Sequence, residues 1–442
     1  MIAGGGRRPD AEPEWPQKDA EMSIEKVETL VIGGGQAGLA MSAHLSRNGL
    51  AHVVLERGRI AERWRSARWD SLVANGPAWH DRFPELEFAD TDPDAFPGKE
   101  AVADYFVAYA EQIAAPIRCG VEVTEVRRND GRPGFRVETS EGIIEATNVV
   151  AATGPFQQPI IPAVVPEDAG VMQVHSNAYR NPGQLPEGAV MVVGSGASGV
   201  QIADELARAG RRVYLSVGPH HRPPRSYRGR DYVWWLGVLG KWDVAAIEPG
   251  TEHISISVSG AHGGHTVDFR ELAAQGITLV GMTQAYKDGA LRFAPDLSDT
   301  IAQGDANYLS VLDEADAFAA RHGLDLPDEP EARVFLPDPP CVTDPILELN
   351  LADAGIASIV WATGYAVDFS WLKVDALDDR GRPVHQRGVS TEPGIYFVGL
   401  PWLSRRGSSF IWGVWHDARY LADQIAIQHQ YMACLLYTSD AA

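Results

Sequence analysis

Two glycine clusters hold the chemistry that can be read first. Gly33, Gly35 and Gly38 follow the apolar run 27–32 and open the small, apolar stretch 36–48, whereas Gly194, Gly196 and Gly199 follow residues 190–193 in the same way. A strand, a glycine turn and a helix make a dinucleotide cradle. The first glycine permits the tight turn, the second lets the backbone approach a pyrophosphate, and the third lets helix and strand pack closely. Gln36 and Ala37 complete the first turn; Ser195, Ala197 and Ser198 complete the second. A diphosphate is expected at each helix N-terminus, where free amides and the helix dipole favour negative charge.

The two units differ where their second strands end. Residues 51–55 lead into Glu56, whose carboxylate can accept hydrogen bonds from a ribose. Residues 213–217 offer no acid; Ser216 is there, with Arg222 and Arg225 close behind. An acid repels a ribose 2′-phosphate and arginine stabilises it, so the second unit is expected to take NADPH. Solvated surface charge is the alternative reading of the two arginines.

The elements that must position these residues follow from periodicity. Residues 1–22 are rich in Gly, Pro and charge and read as a disordered extension. The stretch 57–88 mixes tryptophan, arginine and asparagine without regular spacing, as a functional loop does. A helix is expected at 100–113, with short strands at 122–127, 135–139 and 143–146. The run 148–152 ends in Thr153-Gly154-Pro155, a natural exit from one domain to another. Trp234, Trp235 and Trp242 suit an inserted packing helix, and 323–345, rich in Pro and acids, reads as a linker. A strand at 356–361, the turn Ala362-Thr363-Gly364-Tyr365, a strand at 394–400 and a helix at 412–430 complete the pattern. The end, 431–442, shows no packing logic and is expected to lie outside the fold.

Composition narrows the class. The chain has 442 residues, 45% of them hydrophobic, enough for two or three domains with large cores. Fifty-nine acids against 38 bases give a formal charge of -21, which disfavours general attraction to nucleic acid or anionic membrane. Cys119, Cys341 and Cys434 form neither a C-x-x-C pair nor a metal-ligand spacing, so no metal site, disulfide framework or thiol relay is expected. No apolar run approaches the roughly 18 residues of a membrane span, and the start lacks a signal-peptide core; a cytoplasmic protein is expected.

With these motifs in place, residues 25–430 resemble the flavin-containing monooxygenases, single-component enzymes that include N-hydroxylating and Baeyer-Villiger members. The resemblance rests on both glycine turns, on Ala362-Thr363-Gly364-Tyr365, and on the segment from Trp69 to Asn75. It implies an α/β fold of two Rossmann-like domains of three-layer ββα type: an FAD domain from 24–156 and 345–430, with an NADPH domain, 157–344, inserted between. It adds Arg57, Arg63, Trp64, Thr153 and Gly154 to the cofactor-binding set, together with the Ala362 to Tyr365 turn. Asn75 matches the family asparagine beside the flavin and is the leading active-site candidate.

One family mark is altered. The fingerprint F-x-G-x-x-x-H-x-x-x-(F/Y/W) aligns with Ala169, Val171, His175 and Tyr179, keeping only the His and the last aromatic. Tyr rather than Trp at the end favours heteroatom oxygenation over ketone insertion, His175 either packs or links the domains, and His175 and Tyr179 join Asn75 as catalytic candidates. The family chemistry is hydride transfer from NADPH to FAD, then reaction with O2 to a C4a-(hydro)peroxyflavin that oxygenates a small organic substrate. N- or S-oxygenation is favoured. Baeyer-Villiger oxygenation, an NADPH oxidase or flavin reductase releasing hydrogen peroxide, and a non-catalytic nucleotide sensor are the alternatives. Segments 64–83, 227–242 and 401–415 are expected to line an apolar, aromatic pocket. A homodimer is left open.

Overall fold

The computed structural model describes residues 24–245 and 254–439, with side chains to 434. The expected extension 1–22 lies outside the described residues, as do 440–442.

The first glycine turn sits between β1 (Glu25–Ile32) and α1 (Gln36–Arg47), followed by β2 (His52–Glu56), α2 (Lys99–Gln112) and β3 (Ile117–Cys119). Strand β1 pairs in parallel with β2, and β2 with β3. An antiparallel meander follows: β4 (Val123–Arg128), β5 (Phe135–Thr139) and β6 (Gly142–Ala151), and β6 returns to lie parallel to β1. Alternation along β1 sends its side chains to two cores. Val31 faces the helices, where Leu39, Phe106 and Leu421 are buried; Leu30 and Ile32 face the meander, against Val126, Phe135 and Val137. Helices on one face and a meander on the other give the expected three layers.

The second unit contains β7 (Met172–His175), β8 (Ala189–Val193), α3 (Ala197–Arg208), β9 (Val213–Ser216), α4 (Tyr232–Val238), β10 (Thr278–Val280) and the long α5 (Leu297–His322). A later strand, β11 (Ile356–Trp361), corrects the expected domain boundary at 345. It lies between β8 and β7, parallel to both, in a five-stranded sheet ordered β10-β9-β8-β11-β7. Ile359, Val360 and Trp361 are fully buried there, as a strand covered on both faces requires. The chain returns to the first unit only after this strand, where β12 (Ile395–Phe397) pairs with β6.

The two crossings run side by side: Gln158 and Pro159 pair antiparallel with Ala366 and Tyr365. The last helix, α6 (Ile411–Ser439), packs on α1 through Trp415, Leu421 and Ile425. It runs beyond the expected end at 430, so 431–439 is helical, with Tyr431 and Met432 68% and 58% exposed. The 226–244 segment is a hairpin followed by α4, whose N-terminus is capped by Asp231. Residues 323–345 contain two short helical turns, and Val342 is buried in the second core, so this stretch packs rather than merely links. No helix among the described residues is long and apolar enough to cross a membrane.

Candidate functional site: two nucleotide cradles and the loop between them

Both glycine turns have the geometry of a cradle. Gly33 and Gly194 adopt φ of +114° and +110°, a region that L side chains avoid. A Cβ on either would lie 2.6 Å from Ala152 O or 2.5 Å from Ala362 O, the carbonyls of two matching Ala-Thr-Gly turns. Gly38 and Gly199 pack closer still, since an added Cβ would approach Gly33 O to 1.9 Å and Gly194 O to 1.8 Å. Gly35 differs: a Cβ there would meet nothing within 4 Å. The N-termini of α1 and α3 have no side-chain cap and no acid in the first turn. Open backbone at Gly35 beside the uncapped amides of Gln36 and Ala37 fits a pyrophosphate in the first unit; in the second, a Cβ on Gly196 would stand 3.2 Å from Ser255 Cβ, and the uncapped amides of Ser195, Ala197 and Ser198 carry the fit.

Glu56 closes the first turn. Its two oxygens accept from Gly34 N at 2.7 Å and Gly58 N at 2.8 Å, fixing the carboxylate at the end of β2. Arg57 is exposed beside it, Trp64 is partly buried, and Arg63 donates to Gln157 O at 3.1 Å. Burial lowers the Arg63 pKa below the usual arginine value. Gln157 donates in turn to Thr153 Oγ1 and to Gly154 O, at 2.9 and 2.7 Å, bracing that turn. In the matching turn Thr363 Oγ1 donates to Ile160 O.

The second unit's expected 2′-phosphate residues are engaged elsewhere. Arg222 is 1% exposed, donates from Nε to Asp305 Oδ1 at 2.8 Å and lies 3.3 Å from Asp268, with the rings of Tyr308 and Phe335 about its guanidinium. Arg225 is also buried, between Asp231 at 2.5 Å and Asn75 O at 2.6 Å. Ser216 Oγ donates to Gly281 O and accepts from Thr283 N. Neither the phosphate role nor the surface-charge alternative describes these arginines; both are compensated buried charges, because carboxylates from α5 and the loops reach them first.

Asn75 lies where the units meet. Its Oδ1 accepts from Gln201 Nε2 at 2.8 Å, and Gln201 stands on α3, directly behind the second glycine turn. Gln201 also donates to Val258 O at 3.0 Å, which fixes the amide's orientation. Among the described residues Asn75 Nδ2 has no partner. Gln201 was not among the residues picked out from sequence; it is buried on α3 together with the polar Asp204, and no local pattern singled it out.

His175 and Tyr179 have structural partners. His175 is 3% exposed, with Nε2 at 2.9 Å from Gly364 O, Nδ1 at 3.2 Å from Asn177, and its ring edge-on to Tyr365. Burial lowers its pKa, so the neutral ring sits at the root of the crossing. Tyr179 is fully buried and donates to Glu205 Oε2 at 2.7 Å; burial and that contact raise its pKa. Ser71 donates to Glu205 Oε1 at 2.6 Å, so Tyr179 and the loop before Asn75 share one carboxylate. The three aromatic segments also converge: His80, Trp242 and Trp412 form a ring cluster.

A doubly nucleotide-binding α/β oxidoreductase is the class that this fold and these cradles define. The family described as pyridine nucleotide-disulphide oxidoreductase matches residues 30–236. An uncharacterized CzcO-like oxidoreductase of Geobacillus kaustophilus is 36% identical over 405 residues, 90% of this chain and 98% of the relative. Indole-3-pyruvate monooxygenase YUCCA1 of Oryza sativa is 30% identical over 399 residues, covering 86% and 88%. The flavin-containing monooxygenase structure from Stenotrophomonas maltophilia superposes with a TM-score of 0.63 at 20% identity, over 92% of this chain and 99% of that one. The chain belongs to the flavin-containing monooxygenase family. It is a flavoprotein oxidoreductase of the monooxygenase type that uses FAD and NADPH.

Proposed function

We propose that the first cradle holds FAD, the second holds NADPH, and the enzyme transfers one oxygen atom from O2 to nitrogen or sulfur of a small organic substrate. When bound, the flavin takes reducing equivalents from NADPH and activates O2. The chain's own residues hold and shield that chemistry. The N-terminus of α1 receives the FAD diphosphate, and Glu56, braced by Gly34 and Gly58, retains lone pairs for a ribose hydroxyl. The N-terminus of α3 does the same for NADPH.

Asn75 is the donor assigned to the reacting end of the cofactor pair. Gln201 occupies its Oδ1, which leaves Nδ2 to donate. This bond is the observation that carries the reading, because it ties the loop after the FAD cradle to the helix of the NADPH cradle. His175 and Tyr179 act as positioning residues, one at the crossing and the other through Glu205. The aromatic cluster supplies an apolar wall on the loop that carries Asn75. Indole-3-pyruvate, named for the rice relative, is an aromatic substrate of the kind such a lining suits.

The test is Asn75→Leu, assayed with amines and sulfides while peroxide is measured in parallel. FAD should stay bound while product per NADPH falls and peroxide rises. An unchanged product yield per NADPH would sink the assignment, and stoichiometric peroxide from the unaltered enzyme would make it an oxidase.

A further inference from the structure

His80 presents a buried polar atom with nothing to bind. The residue is 6% exposed, and Nδ1 lies 2.8 Å from Asp81 Oδ1, while Asp81 Oδ2 accepts from Gly76 N at 3.0 Å. A carboxylate only accepts, so in the neutral ring this bond keeps the proton on Nδ1 and Nε2 is a lone-pair acceptor. Among the described residues that Nε2 is buried and has no hydrogen-bond partner. Left so, it carries a desolvation cost that a bound donor would remove.

Its surroundings are aromatic on several sides. The His80 ring lies 5.2 Å from Trp242 and 5.8 Å from Trp412, nearly parallel to both, and 5.4 Å from Trp79, edge-on. Trp242 and Trp412, 6.2 Å apart, close a triangle of rings. The rim is unsealed, since Trp79 and Trp412 are only partly buried and Phe410, beside Trp242, is 41% exposed. The cluster is tied to both halves of the site described above. Gly76, which Asp81 holds, follows Asn75; Ser409, three residues before Trp412, accepts through its carbonyl from Gln36 Nε2 at the start of α1.

We propose that His80 accepts a hydrogen bond from the substrate, and that the substrate is an aromatic molecule bearing an N–H or O–H donor, its ring laid against the partly buried Trp79 and Trp412 at the rim of the cluster. Asp81 is the positioning residue that fixes the tautomer. The assignment rests on the monooxygenase reading and names the substrate class for that site.

The experiment is calorimetric titration of the FAD-loaded enzyme with 4-methylphenol and with 4-methylanisole, which differ in one donor. The unaltered enzyme should bind the phenol about tenfold more tightly. His80→Phe, which keeps a ring, should bring the two probes to within about twofold, and His80→Gln, which restores an acceptor, should recover part of the difference. Thermal unfolding and FAD content establish that each variant is folded, and Asp81→Asn should weaken the preference without removing any ring. Equal binding of both probes by the unaltered enzyme, or a preference that survives His80→Phe, overturns the proposal. NADPH bleaching of the flavin, followed in the same preparations, reports on the parent reading separately: bleaching without probe discrimination rejects the His80 assignment alone, and no bleaching rejects the monooxygenase reading.

Discussion

Asn75 Oδ1 accepts a 2.8 Å hydrogen bond from Gln201 Nε2, and the two residues belong to different nucleotide-binding units. Removing the donor with Gln201→Leu should loosen Asn75 without touching the FAD cradle. A net loss of about 1 kcal/mol corresponds to a roughly fivefold rise in peroxide released per NADPH. Peroxide and product measured against NADPH consumption check this, and an unchanged ratio would show that Gln201 does not position Asn75.

The two cradles can be disabled separately. Gly38→Ala puts a methyl group where Gly33 O lies 1.9 Å away, and Gly199→Ala does the same against Gly194 O at 1.8 Å. The first variant should purify colourless or with little FAD. The second should stay yellow but reduce its flavin slowly with NADPH, while dithionite still reduces it fully. Flavin absorbance before and after each reductant distinguishes the outcomes, and a yellow Gly38→Ala with slow NADPH reduction would exchange the two assignments.

Arg222 should matter for stability. It is 1% exposed between Asp305 and Asp268, so Arg222→Met removes one of the two arginines of a buried cluster and leaves Arg270 alone, 2.8 Å from Asp305. Breaking a buried pair outright costs about 3–5 kcal/mol, and with Arg270 still in place the expected loss is at the lower end, about 3 kcal/mol. Denaturant unfolding should show that loss, with the preference for NADPH over NADH unchanged in the folded fraction. A stable variant with selectively weakened NADPH binding would restore Arg222 to the phosphate site.

Acid should destabilise the fold through two buried histidines. Burial pushes His44 and His220 down to about 4, with neighbouring arginines adding to the effect. Between that value and the unfolded-state value of about 6.5 the unfolded chain binds more protons, so stability rises with pH across this window. The contribution is fully present above about pH 6.5 and is lost as pH falls toward 4. Melting temperatures from pH 7.5 to 5 should therefore fall, with a shallower slope in His44→Phe. Equal slopes would remove His44 from the account.

The glycine turns were legible because their requirement is local. Positive φ at Gly33 and Gly194, and a missing Cβ at Gly38 and Gly199, are demands of a short strand-turn-helix unit. Period-two alternation likewise marked the meander, and the family motifs marked Asn75. The arginines misled because charge in a sequence says nothing about what reaches it in space; the carboxylates of Asp268 and Asp305 lie far along the chain from Arg222. The boundary near 345 was misplaced for a similar reason. A parallel strand such as β11 is assigned to a sheet by its pairing partners, here β8 and β7.

By itself, then, the sequence determined the two cradles, which follow from backbone sterics and short-range periodicity, while the three-layer frame and the choice of Asn75 came from the motifs it shares with a family. Only the tertiary structure decided which strands belong to which unit, that Gln201 holds Asn75, that Arg222 is locked in a core, and that His80 stands among tryptophans from three segments. Those relationships join residues distant in sequence. They are set by packing and by competition for hydrogen-bond partners, neither of which leaves a local pattern.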